Sequence, residues 1–253
     1  VLVHMIYVPP LFEEANQHRH VFTKLALNAL KLGVESIIYD PVGTGDSQKN
    51  LVDISLTMWQ EELTAQIVQL RENSNQPIVL CLPTSSVLLL TADIVEQVDA
   101  LQLWQPEFNG KKFVQQFKRI ALAQQLSIPH SQSVPAENPY VEIAGYYMQK
   151  RLLEDLSLPT IDSVFTQANS QRNNQQNMQA CSQIKCINIE WLSSTDNELT
   201  LARKKQYQQL TQLQQQTQLI TIAEPKYWQA TSLTIPQTLL ASSLQALQEL
   251  IDG

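Results

Sequence analysis

The chain has 253 residues, 43% of them hydrophobic and only 16% charged, with a formal net charge of -7 and a pI near 5.1. The acidic balance excludes nucleic acid as a partner, because neutralising phosphates takes a surplus of Lys and Arg, and it excludes a polybasic membrane contact. No run approaches the roughly 18 apolar residues that cross a bilayer, and the three cysteines, Cys81, Cys181 and Cys186, form no disulfide framework, so a cytoplasmic protein with no membrane span is expected.

The length suits one large α/β domain or two small ones. Residues 2–8 are a first apolar run of strand length, stopped at once by Pro9 and Pro10, which is too short for a signal peptide. The chain opens on Val1 rather than Met, and a segment N-terminal to it is expected. Glu13 and Glu14 follow the Pro-Pro turn at the start of a helix over 16–32. There they complement the helix dipole, or one carboxylate stands beside a pocket mouth as a general base or cation ligand. Arg19 pairs with one of them or holds an anionic ligand. His18 and His20, two residues apart, do not share a helix face and make no metal pair. Gly33 closes the helix as a C-cap.

A second strand over 36–40 runs into Tyr39-Asp-Pro-Val-Gly-Thr-Gly-Asp-Ser47. The minimal reading is a tight turn with positive φ at Gly43 or Gly45; a phosphate loop would need a third glycine and a lysine. A helix follows over 53–71, and then Gln76-Pro-Ile-Val-Leu-Cys-Leu-Pro-Thr-Ser-Ser-Val-Leu-Leu-Leu90 reads as strand, tight turn and helix. A nucleophile elbow has that outline, with small residues two positions either side of the nucleophile. Centring it on Thr84 places Leu82 and Ser86 at those positions and puts a β-branched residue at positive φ, a steric outlier. Centring it on Ser85 or Ser86 gives no better flanks, so Thr84, Ser85 and Ser86 all stay open.

The strand over 100–104 ends in Trp104, and residues 108–158 read as helices with no strand, an insertion over the carboxyl end of the sheet where open α/β sheets bind ligands. Tyr146 and Tyr147 fall within it. Residues 167–179 are a polar, Gln- and Asn-rich linker or solvated helix. A strand over 184–191 precedes Asp196, a possible catalytic acid, and a strand over 219–223 precedes Tyr227, Trp228 and a closing helix over 236–251. Trp104 and Trp228 line an apolar ligand cavity or pack in the core. The four histidines, His4, His18, His20 and His130, all precede the last strand, so the chain order Ser, acid, His of a standard triad is not met. Cys181 and Cys186 lack zinc spacing, and neither metal nor cofactor is expected.

The glycine turn, with the alternating strands and helices, resembles the Asp-x-x-Gly-x-Gly-x-Ser turn of α/β-hydrolases. Val8-Pro-Pro-Leu-Phe-Glu-Glu14 at the oxyanion loop, Leu103-Trp-Gln-Pro106, Glu142-Ile-Ala-Gly-Tyr146 and Tyr227-Trp-Gln229 are similar to the α/β-hydrolase-like proteins called exosortase A system-associated hydrolase type 2, found with bacterial exopolysaccharide and PEP-CTERM protein-sorting genes. The resemblance implies an α/β-hydrolase fold: a mostly parallel doubly wound sheet with a helical cap insertion, its core at 1–107 and 159–253 and its cap at 108–158. A small-molecule pocket is expected between the two, with Arg19, Trp104, Tyr146 and Trp228 as the candidate ligand-binding residues. The leading functional expectation is a binding or accessory protein without a standard triad. The alternative is an atypical ester or thioester hydrolase using Glu13 or Glu14 with Ser85 or Ser86, and a third reading is an interaction protein that reuses the fold as a scaffold.

Overall fold

The computed structural model describes residues 1–125, 138–166, 184–195, 197–214, 216–230 and 232–252. Among the described residues eight strands form: β1 (Val3–Tyr7), β2 (Val34–Ile38), β3 (Ile78–Pro83), β4 (Ala100–Trp104), β5 (Tyr140–Ile143), β6 (Tyr146–Gln149), β7 (Lys185–Trp191) and β8 (Thr217–Ile222). Six of them make one parallel sheet in the order β2-β1-β3-β4-β7-β8. Every residue of β1, β3 and β4 is buried, whereas β2 and β8, at the edges, are half open. The unbroken apolar runs of the inner strands therefore have one cause: both of their faces are covered.

The two faces carry separate cores, and the strand period of two sorts residues between them. Ile6, Leu80, Leu82 and Leu103 join Trp59, Leu63 and Ile67 of α2 (Leu56–Asn73). Val3, Met5, Tyr7, Val79 and Trp104 join Phe22 and Leu25 of α1 (His18–Ala29) and Leu239 and Leu247 of the closing helix (Gln237–Asp252). Local signals start and stop these helices. Ser55 accepts from the Met58 N–H at 3.2 Å to cap α2, and α1 runs through a 3-10 turn (Leu30–Leu32) to Gly33 at φ 77°. The chain goes outward from β1 to β2, then returns to β3 on the other side of β1. The carboxyl ends of β1 and β3 thus form the topological switch point.

Between β4 and β7 lie α3's successor α4 (Gly110–Gln125), the β5–β6 hairpin, α5 (Lys150–Leu156) and a helical turn over 161–166; α3 itself (Ala92–Glu96) precedes β4. The hairpin corrects the expectation of helices alone. Tyr140–Ile143 and Tyr146–Gln149 pair antiparallel around Ala144 at φ 53° and Gly145 at φ 84°, a two-residue turn with both centres left-handed. The turn was hard to see because Ala stands where Asn or Asp usually announces it. Phe113, Phe117, Ile143, Met148 and Leu152 of this segment join the same core as Ile6 and Leu80.

Gly110, at the start of α4, packs against the end of α5. A Cβ there would meet the Leu156 carbonyl oxygen at 2.1 Å, and backbone cannot yield as a flexible side chain would. Gly110→Ala is expected to destabilise the protein by about 2–4 kcal/mol, read as a lowered midpoint in urea unfolding; an unshifted midpoint would show that α4 and α5 are not in this contact.

Candidate functional site

β3 enters a tight turn at Thr84, which stands at φ 43° and opens a 3-10 stretch (Thr84–Leu89). The structure thus selects the Thr84-centred frame, with Leu82 and Ser86 two residues to either side. A β-branched residue in the left-handed region costs on the order of 1–3 kcal/mol, so its surroundings must hold it there. The Thr84 hydroxyl donates to Glu14 Oε2 at 2.7 Å, and its carbonyl accepts from the Glu107 N–H at 2.9 Å.

Glu14 lies in a 3-10 turn (Phe12–Gln17) that follows β1. Its Oε2 accepts two further bonds, from the Ser85 hydroxyl at 2.5 Å and the Ser85 N–H at 3.2 Å. The Ser85 hydroxyl in turn accepts from the Leu11 N–H at 2.9 Å. An elbow normally turns two N–H groups on a substrate oxyanion: one from the residue after the nucleophile, one from the neighbouring strand's loop. Here Ser85 and Leu11 supply N–H groups from those places, and both are engaged within the protein. Thr84 is 4% exposed, Ser85 and Ser86 not at all. Burial raises the Glu14 carboxyl above its ordinary range, the bonds from Ser85 and Thr84 oppose the rise, and the nearby Glu107 adds to it.

His18, at the start of α1, is fully buried. Its Nδ1 lies 2.5 Å from the Glu14 carbonyl oxygen, which can only accept, so Nδ1 carries the proton. Nε2 faces aromatic rings without a partner among the described residues, with Tyr227 at 4.9 Å and Phe22 at 5.7 Å between centroids. Burial lowers its pKa to about 3, so this imidazole is neutral. Tyr227, in the turn after β8, is also buried. Asp196 and His130 lie outside the described residues.

Glu190 on β7 is fully buried and is gripped by Arg203 of α6 (Leu201–Leu213). Nε donates at 2.7 Å to one oxygen and Nη2 at 2.6 Å to the other. Neither residue was singled out from the sequence, although an acid inside the run Cys186-Ile-Asn-Ile-Glu-Trp191 is itself a signal that a partner must exist.

A cavity of about 500 Å³ opens beside this cluster at the ends of β1 and β2, lined by Leu11, Phe12, Arg19, Asp40, Trp59 and Tyr146 among others. Phe12, at φ 54°, stacks on Phe117 at 4.4 Å and meets Tyr146 edge-on at 5.3 Å. The cavity walls do not include Thr84, Ser85 or Glu14; the loop after β1 stands between, with Leu11 turned to both sides. Of the residues expected at the site, Glu14, Thr84 and Ser85 come together, and Arg19 and Tyr146 line the cavity. Arg19 pairs with Asp40 rather than with Glu13 or Glu14. Glu13 is exposed and accepts from Asn16 at 3.2 Å. Trp104 is buried on the opposite face of the sheet against Phe22, and Trp228 packs edge-on against Trp191 at 4.7 Å. Among the described residues no three His, Cys, Asp or Glu side chains converge as metal ligands.

No protein-family model and no curated protein sequence matches the chain. Solved structures do. The esterase Est1E from Butyrivibrio proteoclasticus, solved with ferulic acid, superposes with a TM-score of 0.63 at 13% identity, over 100% of this chain and 90% of that one. A thermostable carboxyl esterase from Bacillus coagulans gives 0.59 at 11% over 99% and 89%, and mouse alpha/beta hydrolase domain-containing protein 10 gives 0.59 at 11% over 98% and 89%. The chain has the α/β-hydrolase fold. Thr84 stands at the strained centre of the turn after β3.

Removing the acceptor tests how this turn is held. Glu14→Ala leaves two hydroxyls and an N–H facing a void and is expected to cost about 2–4 kcal/mol, whereas Glu14→Gln keeps an acceptor and is expected to cost less. The pH dependence has a definite sign. With its folded pKa raised, Glu14 keeps a proton that the unfolded chain has released, so stability grows as pH falls through the raised range toward the ordinary carboxylate range. Urea unfolding of the protein and Glu14→Gln across that window should differ by this component; parallel curves would contradict it.

Proposed function

We propose that the protein is a hydrolase-fold binding protein whose elbow is closed from within by Glu14, with residues 108–158 as a cap. The observation that carries this is the single Glu14 carboxylate oxygen accepting from the Thr84 hydroxyl, Ser85 Oγ and the Ser85 N–H; of the two N–H groups a substrate oxyanion would need, the Ser85 one goes to Glu14 and the Leu11 one to Ser85 Oγ. The absence of any histidine after β8 supports it, as does the cavity displaced from the elbow. The motifs Pro-Pro-x-x-Glu-Glu and Trp-Gln-Pro support an accessory role in exopolysaccharide or protein-sorting metabolism, in the cytoplasm; no helix among the described residues is long and apolar enough to cross a membrane.

One observation favours a second reading, an ester or thioester hydrolase of irregular design. The short Ser85 Oγ–Glu14 contact of 2.5 Å is the geometry of a hydroxyl beside a carboxylate base, and two of the superposed structures are named esterases. A panel of short and long acyl esters and thioesters separates the two. The closed-elbow reading expects no turnover above background; turnover that falls on Glu14→Gln would establish the second.

A further inference from the structure

The cavity at the ends of β1 and β2 has walls of an unusual hydrogen-bonding balance. Pro9, Pro10 and Pro41 contribute no N–H at all. Several backbone and indole donors of the lining are engaged inside the wall. The Trp59 indole N–H donates to the Val42 carbonyl at 2.8 Å, the Gly43 N–H to Ser47 Oγ at 2.8 Å, and the Leu11 N–H to Ser85 Oγ at 2.9 Å. Thr44 donates through both its N–H and its hydroxyl to the Pro41 carbonyl, at 2.9 and 2.7 Å. What faces the space is Thr44 Oγ1 and the Asp40 carboxylate, which accept, and the hydroxyls of Tyr39, Tyr146 and Tyr147, which both donate and accept. Phe12, Phe22, Tyr39, Trp59, Tyr146 and Tyr147 supply the aromatic walls. Among the described lining residues the charges are Arg19 and Asp40, and these neutralise each other.

Each feature constrains a ligand. Aromatic faces take a flat ring, through its C–H face or its edge. Walls that carry hydroxyls beside oxygen acceptors take a molecule that both donates and accepts, as a hydroxyl group does. A wall whose two charges already pair offers a charged molecule no free counter-ion to offset its lost hydration. The volume lies within the range of about 300–1,000 Å³ usual for small-molecule sites. We infer that this crevice binds an uncharged, hydroxyl-bearing ring. The inference rests on the binding-protein reading and names its ligand class. Two sources share that chemistry, a neutral sugar ring and a phenol.

The test is ligand-observed saturation-transfer NMR on the whole chain, with methyl β-glucopyranoside and 4-hydroxybenzyl alcohol as the neutral probes and glucuronate and 4-hydroxybenzoate as their anionic counterparts. At least one neutral ring is expected to bind with a Kd below about 10 mM, and its anionic counterpart about tenfold more weakly; the neutral ring that binds identifies the source. Ala15→Phe, which places a ring in the cavity, is expected to abolish binding. Tyr146→Phe, which keeps the ring and removes a hydroxyl, is expected to weaken binding about threefold with an unchanged circular-dichroism spectrum. Failure of both neutral rings to bind would overturn the inference, as would equal binding of the anionic partner or indifference to both substitutions. Ester turnover would sink the closed-elbow reading while leaving ring binding intact, so the two failures are distinguishable.

Discussion

Arg203→Met should destabilise the protein by about 3–5 kcal/mol, the range for removing one partner of a buried ion pair. Glu190 has no exposed surface, and both its oxygens are held by the Arg203 fork. With the guanidinium gone, the carboxylate either stays charged in an apolar interior or takes up a proton, and both outcomes lower stability at neutral pH. Burial already raises the Glu190 pKa despite the attraction of Arg203, so the balance is narrow even with the partner present. Arg203 also donates through Nη1 to the Pro106 carbonyl at 2.8 Å, tying α6 to the loop after β4. The double variant Glu190→Met, Arg203→Met should recover much of the loss, because it removes the stranded charge along with the pair. Urea unfolding of the two variants at pH 7 decides the matter; equal losses in single and double variants would show that packing of the side chains, not the charge, sets the cost.

Acidification should expose His18. Its folded pKa of about 3 lies below the ordinary value of 6.5, so the unfolded chain binds a proton that the folded chain refuses. The stabilisation is complete above pH 6.5 and is lost as pH falls toward 3, at about 1.4 kcal/mol per pH unit, or about 4–5 kcal/mol over the window. Glu14 and Glu190 act in the opposite sense, both being raised, so the net curve of the protein is shallower than the histidine alone would give. His18→Asn isolates the component, since its amide can replace Nδ1–H as the donor to the Glu14 carbonyl and does not titrate. The variant should lose little at pH 7 and should become the more stable protein near pH 4. The same acid limb in both proteins would mean that His18 reaches water.

The sheet was legible because its inner strands are buried on both faces. Runs such as Ile78-Val-Leu-Cys-Leu82 need no partner to be read as strands, and the helices between them are punctuated by Gly33 and Pro236. The edges of the site were less so. Thr84, Ser85 and Ser86 could not be told apart in the chain, since no glycine flanks any of them. What selects Thr84 is Glu14, 70 residues earlier in the sequence, and local pattern does not record that distance. Glu14 itself was visible only as half of an acidic pair after Pro-Pro. Its neighbour Glu13 differs by one position on a 3-10 turn and points to water. The hairpin was missed because Tyr, Val, Met and Ile satisfy helical and strand periods alike over four residues.

The His18 ring, Tyr227 and the Arg203–Glu190 fork share a reason for being overlooked: each is a polar group whose role depends on burial. His18 sits in Ala15-Asn-Gln-His-Arg-His20, a stretch that reads as solvated, yet its side chain faces the second core. Composition along the chain cannot show which face of a short helix turns inward when the apolar stripe begins only at Val21.

Intact-mass analysis after incubation with a fluorophosphonate tests the closed elbow most directly. No adduct is expected on the native protein, because the Ser85 and Leu11 N–H groups that a phosphonyl oxygen would need go to Glu14 and to Ser85 Oγ, and Thr84 and Ser85 are buried. A single adduct mapped to Thr84 or Ser85 would contradict it and would show a working nucleophile.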